Sequence, residues 1–466
     1  MGARMNDADV TRSRQGRIVV VGAGIVGLAV TYYLVVRGEK RDLVILDPLP
    51  PMSLTSAASG ENYRNWWPHP VMTAFTDHSI DLMEEIARAS GNRPHMTRRG
   101  YALATRVAEL DVLLDALHRG YGAGAGHRIR VHEAGAGAAY VPPDVADWRS
   151  APDGVDVLHD PELIRRHFPS FDPAIATVIH VRRAGDISGQ QMGQHMLERI
   201  RAAGGRLVTG RLHAVTQQDG FRLEIVGPEG TQELQADILV NAAGPHLGEV
   251  AAMLGESLPV STVAQQKIAF ADVAGAIPRR MPFAVDLDGQ SIDWTEEERS
   301  LLREEPSLAW LAEEMPGGIH CRPEGGEMGR WIKTGWAFNR TPGAVEPEPP
   351  LLPHFPEIVL RGASRLNPAL KAYRGRLPRE MAHYGGYYTM TPENWPLIGP
   401  MHTPGAFVAG ALSGFGTMGA CAAGAVTAAW ITGAALPDFA RALSPLRYQD
   451  SALMVELAAV AGSGIL

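Results

Sequence analysis

Three glycines near the start of the chain have the spacing of a dinucleotide-binding turn. Val19–Val30 reads VVVGAGIVGLAV, so Gly22, Gly24 and Gly27 follow an apolar strand and open a helix. In such a turn the first glycine permits the tight bend, and the second lets the backbone approach a pyrophosphate. The third lets the helix pack closely on the strand. The helix N-terminus then supplies oriented N–H donors to the phosphates.

A carboxylate stands where such a site binds ribose. Leu43–Leu46 is a second apolar strand, and Asp47 ends it. An acid about 20 residues after the glycines accepts hydrogen bonds from the adenosine ribose hydroxyls. With the strand before, the helix after and the acid in place, the pattern predicts dinucleotide binding rather than a turn that merely packs.

Three later segments favour a flavin over a nicotinamide. Ser53–Pro68 is rich in small and hydroxyl residues suited to wrapping a ribityl-pyrophosphate, and Ile238–Gly244 ends a strand on small residues. Phe407–Ala420 reads as a strand, a glycine-rich turn and a helix, so a second helix N-terminus can face the ligand. A flavin gains negative charge at its N1–C2=O edge on reduction, and a helix dipole stabilises such charge.

At this point the motifs carry a family resemblance. From about residue 17 to 433, the chain resembles the FAD-dependent amine oxidoreductases of the D-amino-acid oxidase superfamily, particularly the sarcosine oxidase and glycine oxidase branch. The most specific parts are the first glycine turn, the YTMTPENWPLIG segment within Gly385–Pro400, and SGFGTMG at Ser413–Gly419. Two insertions, 120–156 and 293–317, depart from the smaller members and leave the substrate entrance undefined.

The resemblance implies an α/β fold with two domains. One is a Rossmann-like FAD-binding domain, and the other is an α+β substrate domain built on a mainly antiparallel sheet. The FAD-binding domain would comprise 17–70, 185–250 and 385–435, and the substrate domain 71–184 and 251–384. Residues 1–16 would form a disordered leader and 436–466 a C-terminal extension.

FAD contacts also follow from the resemblance. Leu212 would meet the adenine side with its backbone, Ala243 and Gly244 would lie near the pyrophosphate, and Ser413–Met418 would run along the pyrimidine edge. The motifs and the resemblance together predict these FAD-binding residues: Gly22, Gly24, Ile25, Val26, Gly27, Asp47, Thr55, Ser56, Ser59, Gly60, Asn62, Leu212, Ala243, Gly244, Gly414, Phe415, Gly416, Thr417 and Met418.

The flavin is expected to be held without a covalent bond. The cysteine that bonds the flavin in sarcosine oxidases corresponds to Gly386, and the histidine used by dimethylglycine-type relatives corresponds to Ala57. Cys421 lies in an apolar helical run and is expected to be a buried structural thiol.

Three candidate catalytic residues come from the resemblance. Lys333 lies in the strand segment RWIKTGWAF, where a lone lysine usually points to solvent. By similarity, however, it matches the lysine that faces the flavin and promotes its reaction with O2. A cation there would stabilise the superoxide-like charge of the first electron transfer. Tyr387 and Tyr388 would lie near the flavin face, with core packing as the alternative.

Substrate anchoring is less well defined by the sequence. Arg64 is the candidate anchor for a substrate carboxylate through its planar fork, with a surface arginine as the alternative. The two arginines that sarcosine oxidases use in this loop correspond to Tyr63 and Trp66, and the lysine of their glycine turn to Met418. Three tryptophans would form either an aromatic wall for a larger or cyclic amine or part of the core: Trp66, Trp67 and Trp395.

Composition excludes other classes of protein. The 466 residues carry a net charge of −8, which argues against nucleic acid as a partner. Cys321 and Cys421 are the only cysteines, which fits a reducing cytoplasm. Residues 394–437 contain no Asp, Glu, Lys or Arg, but prolines and glycines interrupt the run, so it predicts a strand, turn and helix rather than a membrane span. No spacing of His, Cys and carboxylates typical of a metal site occurs.

The reaction implied is the oxidation of a C–N bond in a primary or secondary amine. A hydride would pass from the α-carbon to flavin N5, an imine would leave, and O2 would reoxidise the flavin to give H2O2. Lys333 favours this over a dehydrogenase of the same fold that passes electrons to a quinone or carrier. An NAD(P)H-dependent hydroxylase would carry a Gly-Asp-Ala-Ala-His type segment where SGFGTMG stands. The alternative of another class is a binding or assembly protein that keeps FAD as a structural ligand.

Overall fold

The computed structural model describes residues 16–39, 41–122, 124–133, 139–144, 148–326 and 328–460. Except for Gly16, the predicted leader at 1–16 lies outside these residues, and so do parts of the 120–156 insertion and the last six residues of the predicted C-terminal extension.

Helices and strands alternate along most of the chain. The helices are α1 (Ile25–Val36), α2 (Pro70–Ala89), α3 (Asp111–Tyr121), α4 (Pro161–His167), α5 (Gly189–Ala202), α6 (Leu247–Met253), α7 (Glu296–Glu304), α8 (Phe355–Leu366), α9 (Gly416–Thr432) and α10 (Ser451–Val460). The strands are β1 (Arg17–Val21), β2 (Asp42–Asp47), β3 (Asn62–Arg64), β4 (Tyr101–Thr105), β5 (Ile129–His132), β6 (Val155–Leu158), β7 (Thr177–Val181), β8 (Ala184–Asp186), β9 (Arg206–Thr209), β10 (Arg211–Gln217), β11 (Phe221–Gly227), β12 (Gly230–Ala236), β13 (Ile238–Asn241), β14 (Ser261–Ala271), β15 (Phe283–Asp286), β16 (Gln290–Ser291), β17 (Glu314–Met315), β18 (Ile319–Glu324), β19 (Trp331–Gly335), β20 (Met381–Met390), β21 (Leu397–Pro400) and β22 (Ala406–Gly410).

A six-stranded sheet carries the first glycine turn. Its order is β21-β22-β13-β1-β2-β9, parallel except for β21. Along β1, Ile18 and Val20 pack into one core cluster and Val19 and Val21 into another, so the strand is buried on both faces. Burial on both faces explains why its sequence is continuously apolar, as parallel strands require.

A nine-stranded sheet forms the second layer. Its order is β20-β14-β19-β18-β15-β4-β7-β6-β5, antiparallel except for the pairs β15–β4 and β5–β6. Ile268 and Phe270 of β14 pack with Ile358 of α8 in a core cluster on one face. The fold class is therefore confirmed: an α/β part with a parallel sheet and a second part with a mainly antiparallel sheet.

The smaller sheets complete the fold. Strands β10, β11 and β12 form an antiparallel sheet, while β16–β17 and β3–β8 are two-stranded ribbons.

The predicted domain limit at residue 385 falls inside β20, which pairs with β14 from Met381 to Met390. The domain limits stay a prediction.

The charge-free segment folds as its sequence predicts. It supplies β21, β22, a glycine turn and α9, and thirteen of the residues of α9 are buried, so most of the helix is enclosed by protein. Among the described residues, no helix has both the length and the apolar character needed to cross a bilayer.

Candidate active site

A cavity lies where the N-termini of α1 and α9 meet. Gly24, Ile25 and Val26 line it at the start of α1, and Gly414, Gly416 and Thr417 line it at the start of α9. The first amides of a helix have no intrahelical acceptor, so both helices direct unsatisfied N–H groups and their positive dipole ends toward this space. The cavity is therefore suited to a ligand with anionic groups.

The first glycine turn is as tight as its sequence requires. Gly22 has φ +110°, and a Cβ there would overlap the Ala242 carbonyl oxygen. A Cβ on Gly27 would overlap the Gly22 carbonyl, so α1 can pack on β1 only with glycine at this position. The Ser56 hydroxyl accepts a hydrogen bond from the Ile25 amide at 3.0 Å, which holds the loop after β2 against the helix N-terminus.

Asp47 lies at the end of β2, beside this turn. Its carboxylate accepts hydrogen bonds from the amides of Ala23 at 2.6 Å and Leu49 at 2.8 Å. Burial raises the pKa of Asp47, and these amides oppose that shift. Asp47 braces the turn, and its predicted contact with ribose stays a prediction.

The second glycine turn packs against a tyrosine. A Cβ on Gly414 would lie 2.6 Å from the Tyr388 ring, so glycine allows the ring to rest on the turn. The Thr417 hydroxyl lies 2.8 Å from the Ser59 hydroxyl, which connects α9 to the loop after β2. Phe415 caps α9 without a side-chain hydrogen bond to its first turn.

The remaining predicted FAD-binding residues divide into two groups. Those that line this cavity are Thr55, Ser56, Ser59, Gly60, Gly244 and Gly416, and those outside it are Leu212, Ala243, Asn62, Phe415 and Met418. Leu212 is buried beside β11 in a core cluster, and the last three line the adjoining cavity.

Gly386 and Ala57 correspond to the two residues that bond the flavin covalently in relatives, and they differ in their access to the cavity. Gly386 lines the cavity, and a Cβ there would be 2.9 Å from the Ala58 Cβ. Ala57 is exposed, and Ala58 is the loop residue that lines the cavity. Among the described residues, the cavity lining contains no cysteine and no histidine. Cys421 is buried near Met192 within the core, and burial raises the pKa of its thiol to about 12.

A second cavity adjoins the first and shares part of its lining. Gly60, Lys267, Tyr388, Gly414 and Thr417 belong to both. Its apolar wall consists of Tyr101, Phe283, Val285, Leu287, Phe415 and Met418. Its polar and charged lining includes Glu61, Asn62, Gln265, Lys267, His320, Arg340 and Asn394.

Lys267 was not predicted from the sequence, and it is the lysine at the junction of the two cavities. Its ammonium donates to the Ala58 carbonyl oxygen at 3.3 Å and lies 5.7 Å from the centre of the Tyr388 ring. No ion pair joins it to a carboxylate within the described residues. Burial lowers its pKa to about 8.

Lys333, the predicted lysine, lies on the same face of the sheet but outside both cavities. Its register partner on β14 is Ala269, two residues from Lys267. Its ammonium lies 3.1 Å from a Glu324 oxygen and 3.7 Å from a Glu61 oxygen. Lys333 therefore belongs to a buried ion-pair network, and its predicted role toward O2 is untested.

The two predicted tyrosines line the cofactor cavity. The Tyr387 hydroxyl donates to the Glu346 carbonyl at 3.0 Å and accepts from the Glu346 amide at 2.7 Å. Tyr388 lines both cavities, and burial raises its pKa to about 12.

Arg64 does not line either cavity. It is fully buried, with its guanidinium 4.8 Å from the Trp67 ring and 4.9 Å from the Tyr101 ring. Trp66, Trp67 and Trp395 are also buried and lie outside the cavity linings. Both proposed substrate contacts, the Arg64 anchor and the aromatic wall, thus lack access to the described cavities, because these side chains pack in the core.

A glycine turn at the end of β1, a second at α9 and the cavity between them define a dinucleotide-binding oxidoreductase. Residues 17–430 match one family model, described as DAO, FAD dependent oxidoreductase. The match spans most of the chain, and the chain belongs to this family. It is an FAD-dependent enzyme.

Solved structures with a similar fold support the same architecture. Glycine oxidase from Geobacillus kaustophilus is 17% identical, with a TM-score of 0.67 over 92% of this chain and 98% of its own. L-proline dehydrogenase from P. horikoshii is 17% identical, with a TM-score of 0.67 over 93% and 98%. L-amino acid deaminase from Proteus vulgaris is 14% identical, with a TM-score of 0.65 over 92% and 96%. At these identities the likeness shows the fold alone. A comparison with curated protein sequences gives no match.

The residues around the cavity fit FAD. The glycine turns leave the cavity free of Cβ atoms at the points where the backbone must approach a ligand, and two helix N-termini face it. Small side chains of the loop after β2 form the wall between them. This combination of close backbone approach and positive dipole ends is what a pyrophosphate and a reducible ring require.

Proposed function

We propose that this chain oxidises the C–N bond of an amino-acid-like primary or secondary amine. FAD supplies the electron acceptor: the substrate loses a hydride from its α-carbon, the resulting imine hydrolyses to a carbonyl compound, and one O2 is reduced to H2O2. The observation that carries this proposal is Lys267, whose ammonium has no carboxylate partner among the described residues and lies at the junction of the two cavities.

Lys267 supports O2 as the electron acceptor. The resemblance to sarcosine oxidases implies a lysine that faces the flavin and promotes its reaction with O2. Lys267 lines the cofactor cavity, whereas Lys333 does not. An uncompensated cation in a buried cavity stabilises negative charge as it develops on O2, because the low local dielectric strengthens the attraction. We therefore assign this role to Lys267 instead of Lys333.

The charged side chains that line the second cavity support the recognition of a substrate carboxylate. Arg340 lines this cavity, is exposed, and has no ion pair with a carboxylate among the described residues. Glu61 is the acidic group of the lining, and Lys333 and Arg322 lie 3.7 and 3.9 Å from it. Glu61 is compensated, whereas Lys267 and Arg340 have no carboxylate partner in the part of the chain that the structure describes, so the cavity attracts anions. The apolar wall at Phe283 suits the body of the substrate.

The binding mode of FAD and the location of the enzyme complete the proposal. Gly386 and Ala57, which correspond to the covalently bonding residues of relatives, have no nucleophilic side chain, which supports non-covalent binding. Cys321 and Cys421 are buried free thiols in separate core clusters, which supports a reducing cytoplasm.

Anaerobic mixing of the FAD-loaded protein with amines tests the proposed function. The probes are glycine, sarcosine, L-proline, iminodiacetate and L-phenylalanine, and the readout is bleaching of the flavin absorbance. An amine oxidase bleaches with at least one probe and, after air is admitted, forms one H2O2 per amine consumed. A dehydrogenase bleaches but is reoxidised faster by a quinone than by O2. A structural flavin stays oxidised with every probe, which would contradict the proposal.

A further inference from the structure

His320 lies beside Lys267 on the cavity face of the nine-stranded sheet. Gly335 of β19 is the register partner of both Lys267 and His320, so the three residues form one row across β14, β19 and β18. Residues directly opposite each other on antiparallel strands share a face. A Cβ on Gly335 would lie 2.7 Å from His320 Nε2 and 2.9 Å from Lys267 Cγ, so glycine at this position lets both side chains pack over β19.

The hydrogen bonds of His320 fix its tautomer. Nδ1 lies 3.1 Å from the Gly318 carbonyl oxygen, and a carbonyl only accepts hydrogen bonds, so Nδ1 carries the proton. Nε2 of the neutral ring is then an acceptor. Within the described residues no group donates to Nε2, and the ring lines the second cavity against Phe283, with ring centres 5.0 Å apart.

The surroundings keep this ring neutral. Burial and the neighbouring Lys267 ammonium lower the pKa of His320 to about 3, and Arg322 and Lys333 act in the same direction. At neutral pH His320 accepts hydrogen bonds but does not take up a proton.

We propose that Nε2 of His320 accepts the N–H of the substrate amine and makes the site selective for amines that carry one. This inference rests on the proposed function, since it concerns the same cavity. As hydride leaves the α-carbon, the nitrogen lone pair forms the C=N bond and the nitrogen becomes positive. Its N–H is then a stronger donor, so the hydrogen bond to Nε2 strengthens in the transition state. A neutral tertiary amine has no N–H to donate.

Two variants distinguish the roles of the two ring nitrogens of His320. His320→Gln keeps an acceptor near the Nε2 position, whereas His320→Asn keeps only a donor near the Nδ1 position. With sarcosine or L-proline as the probe, we expect His320→Asn to slow anaerobic flavin reduction about 30-fold and His320→Gln to stay within about fivefold of wild type. FAD content and the rate of reoxidation by O2 should be unchanged in both. Equal rates in the two variants, or a wild-type rate in His320→Asn, would overturn the proposal.

A measurement on the unaltered enzyme needs no variant. The probes sarcosine and L-proline are compared with N,N-dimethylglycine and N-methyl-L-proline, which lack an N–H in the neutral amine. We expect the limiting rate of flavin reduction to be at least tenfold lower with the tertiary amines, and similar rates would overturn the assignment to His320. If no amine reduces the wild-type flavin, the proposed function fails and this inference with it. If amines reduce it without this selectivity, only the inference fails.

Discussion

Lys267 and Lys333 lie on one face of the nine-stranded sheet, one row apart, and among the described residues only Lys333 has carboxylates within ion-pair distance. Lys333 approaches Glu324 and Glu61, whereas the Lys267 ammonium has a carbonyl oxygen and the Tyr388 ring as its neighbours. The two amines are therefore different chemically. The paired one is fixed in a network, and the unpaired one can interact with charge that appears in the cavity.

Replacing Lys267 by methionine should slow the reaction of reduced flavin with O2 by about 10²–10³, the cost typical of removing one preorganised electrostatic contact. Flavin reduction by amine should change much less, because the positive charge acts on the oxygen step. Stopped-flow measurement of the two half-reactions separates these effects. Lys371→Met, an exposed lysine outside both cavities, is the matched control. Equal slowing of both half-reactions would remove the role assigned to Lys267.

The oxygen reaction should also depend on pH. Burial lowers the pKa of Lys267 to about 8, so its ammonium is fully present below that pH and is lost as the pH rises through it. We expect the rate of reoxidation of pre-reduced enzyme to be highest below about pH 8 and to fall above it. In Lys267→Met this fall of the reoxidation rate with pH should be absent. A fall that persists in this variant would mean that another group causes it.

The cofactor turn could be read from the sequence because its determinants are local. Gly22, Gly24 and Gly27 are spaced within one strand–turn–helix unit. The need for glycine at Gly22 and Gly27 follows from backbone contacts across one strand pair or only a few residues away. The same holds for the second turn, where Gly414 must be small to accommodate Tyr388. Local patterns of this kind predict the fold class and the cofactor together.

The substrate cavity could not be read in the same way. Lys267 and His320 are 53 positions apart and meet only through the register of three strands. A strand pattern indicates which residues share a face, but it does not indicate which row reaches a cavity, and so Lys333 and Lys267 are equivalent by pattern. Arg64 illustrates the opposite difficulty: an arginine in a polar loop is buried here between aromatic rings. The signal available for Lys267 was that it is the lone charged residue of the long strand β14.

Arg340 provides a test of carboxylate recognition. Arg340→Gln should raise the Kd of an amino acid about tenfold, because a charge-assisted hydrogen bond at an exposed site is lost. The limiting rate of flavin reduction should change little. Titration of the flavin spectrum with glycine or L-proline gives the Kd, and pyrrolidine, which lacks a carboxylate, should bind both forms equally. Arg379→Gln, at an exposed arginine outside both cavities, is the control. An unchanged Kd for amino acids would contradict the assignment.

The flavin should leave the protein on acid denaturation. Gly386 lines the cofactor cavity, Ala57 is exposed outside it, and neither residue has a nucleophilic side chain. We expect acid precipitation to release all of the FAD into the supernatant, where its absorbance is measured. A yellow pellet after washing would show a covalent bond formed elsewhere and would contradict the prediction.

A buried ion pair connects the C-terminal part of the chain to one wall of the substrate cavity. Arg447 and Glu393 are almost fully buried, and the Arg447 Nε lies 2.7 Å from the carboxylate. Arg447 Nη1 also donates to the Pro396 carbonyl at 2.6 Å. Glu393 directly precedes Asn394, which lines the second cavity. The pair therefore holds the segment that carries part of the cavity wall.

Removing one partner of the Arg447–Glu393 pair should lower the free energy of unfolding more than removing both partners. Arg447→Met leaves the Glu393 carboxylate buried without its cation, and we expect the free energy of unfolding to fall by about 3–5 kcal/mol. In the double variant Arg447→Met/Glu393→Gln no charge remains, so a substantial part of this loss should be recovered. Chemical denaturation of the FAD-loaded protein measures the free energy of unfolding of Arg447→Met, of Glu393→Gln and of the double variant. A double variant whose loss equals the sum of the two single losses would show that the charges are not coupled, because independent sites add.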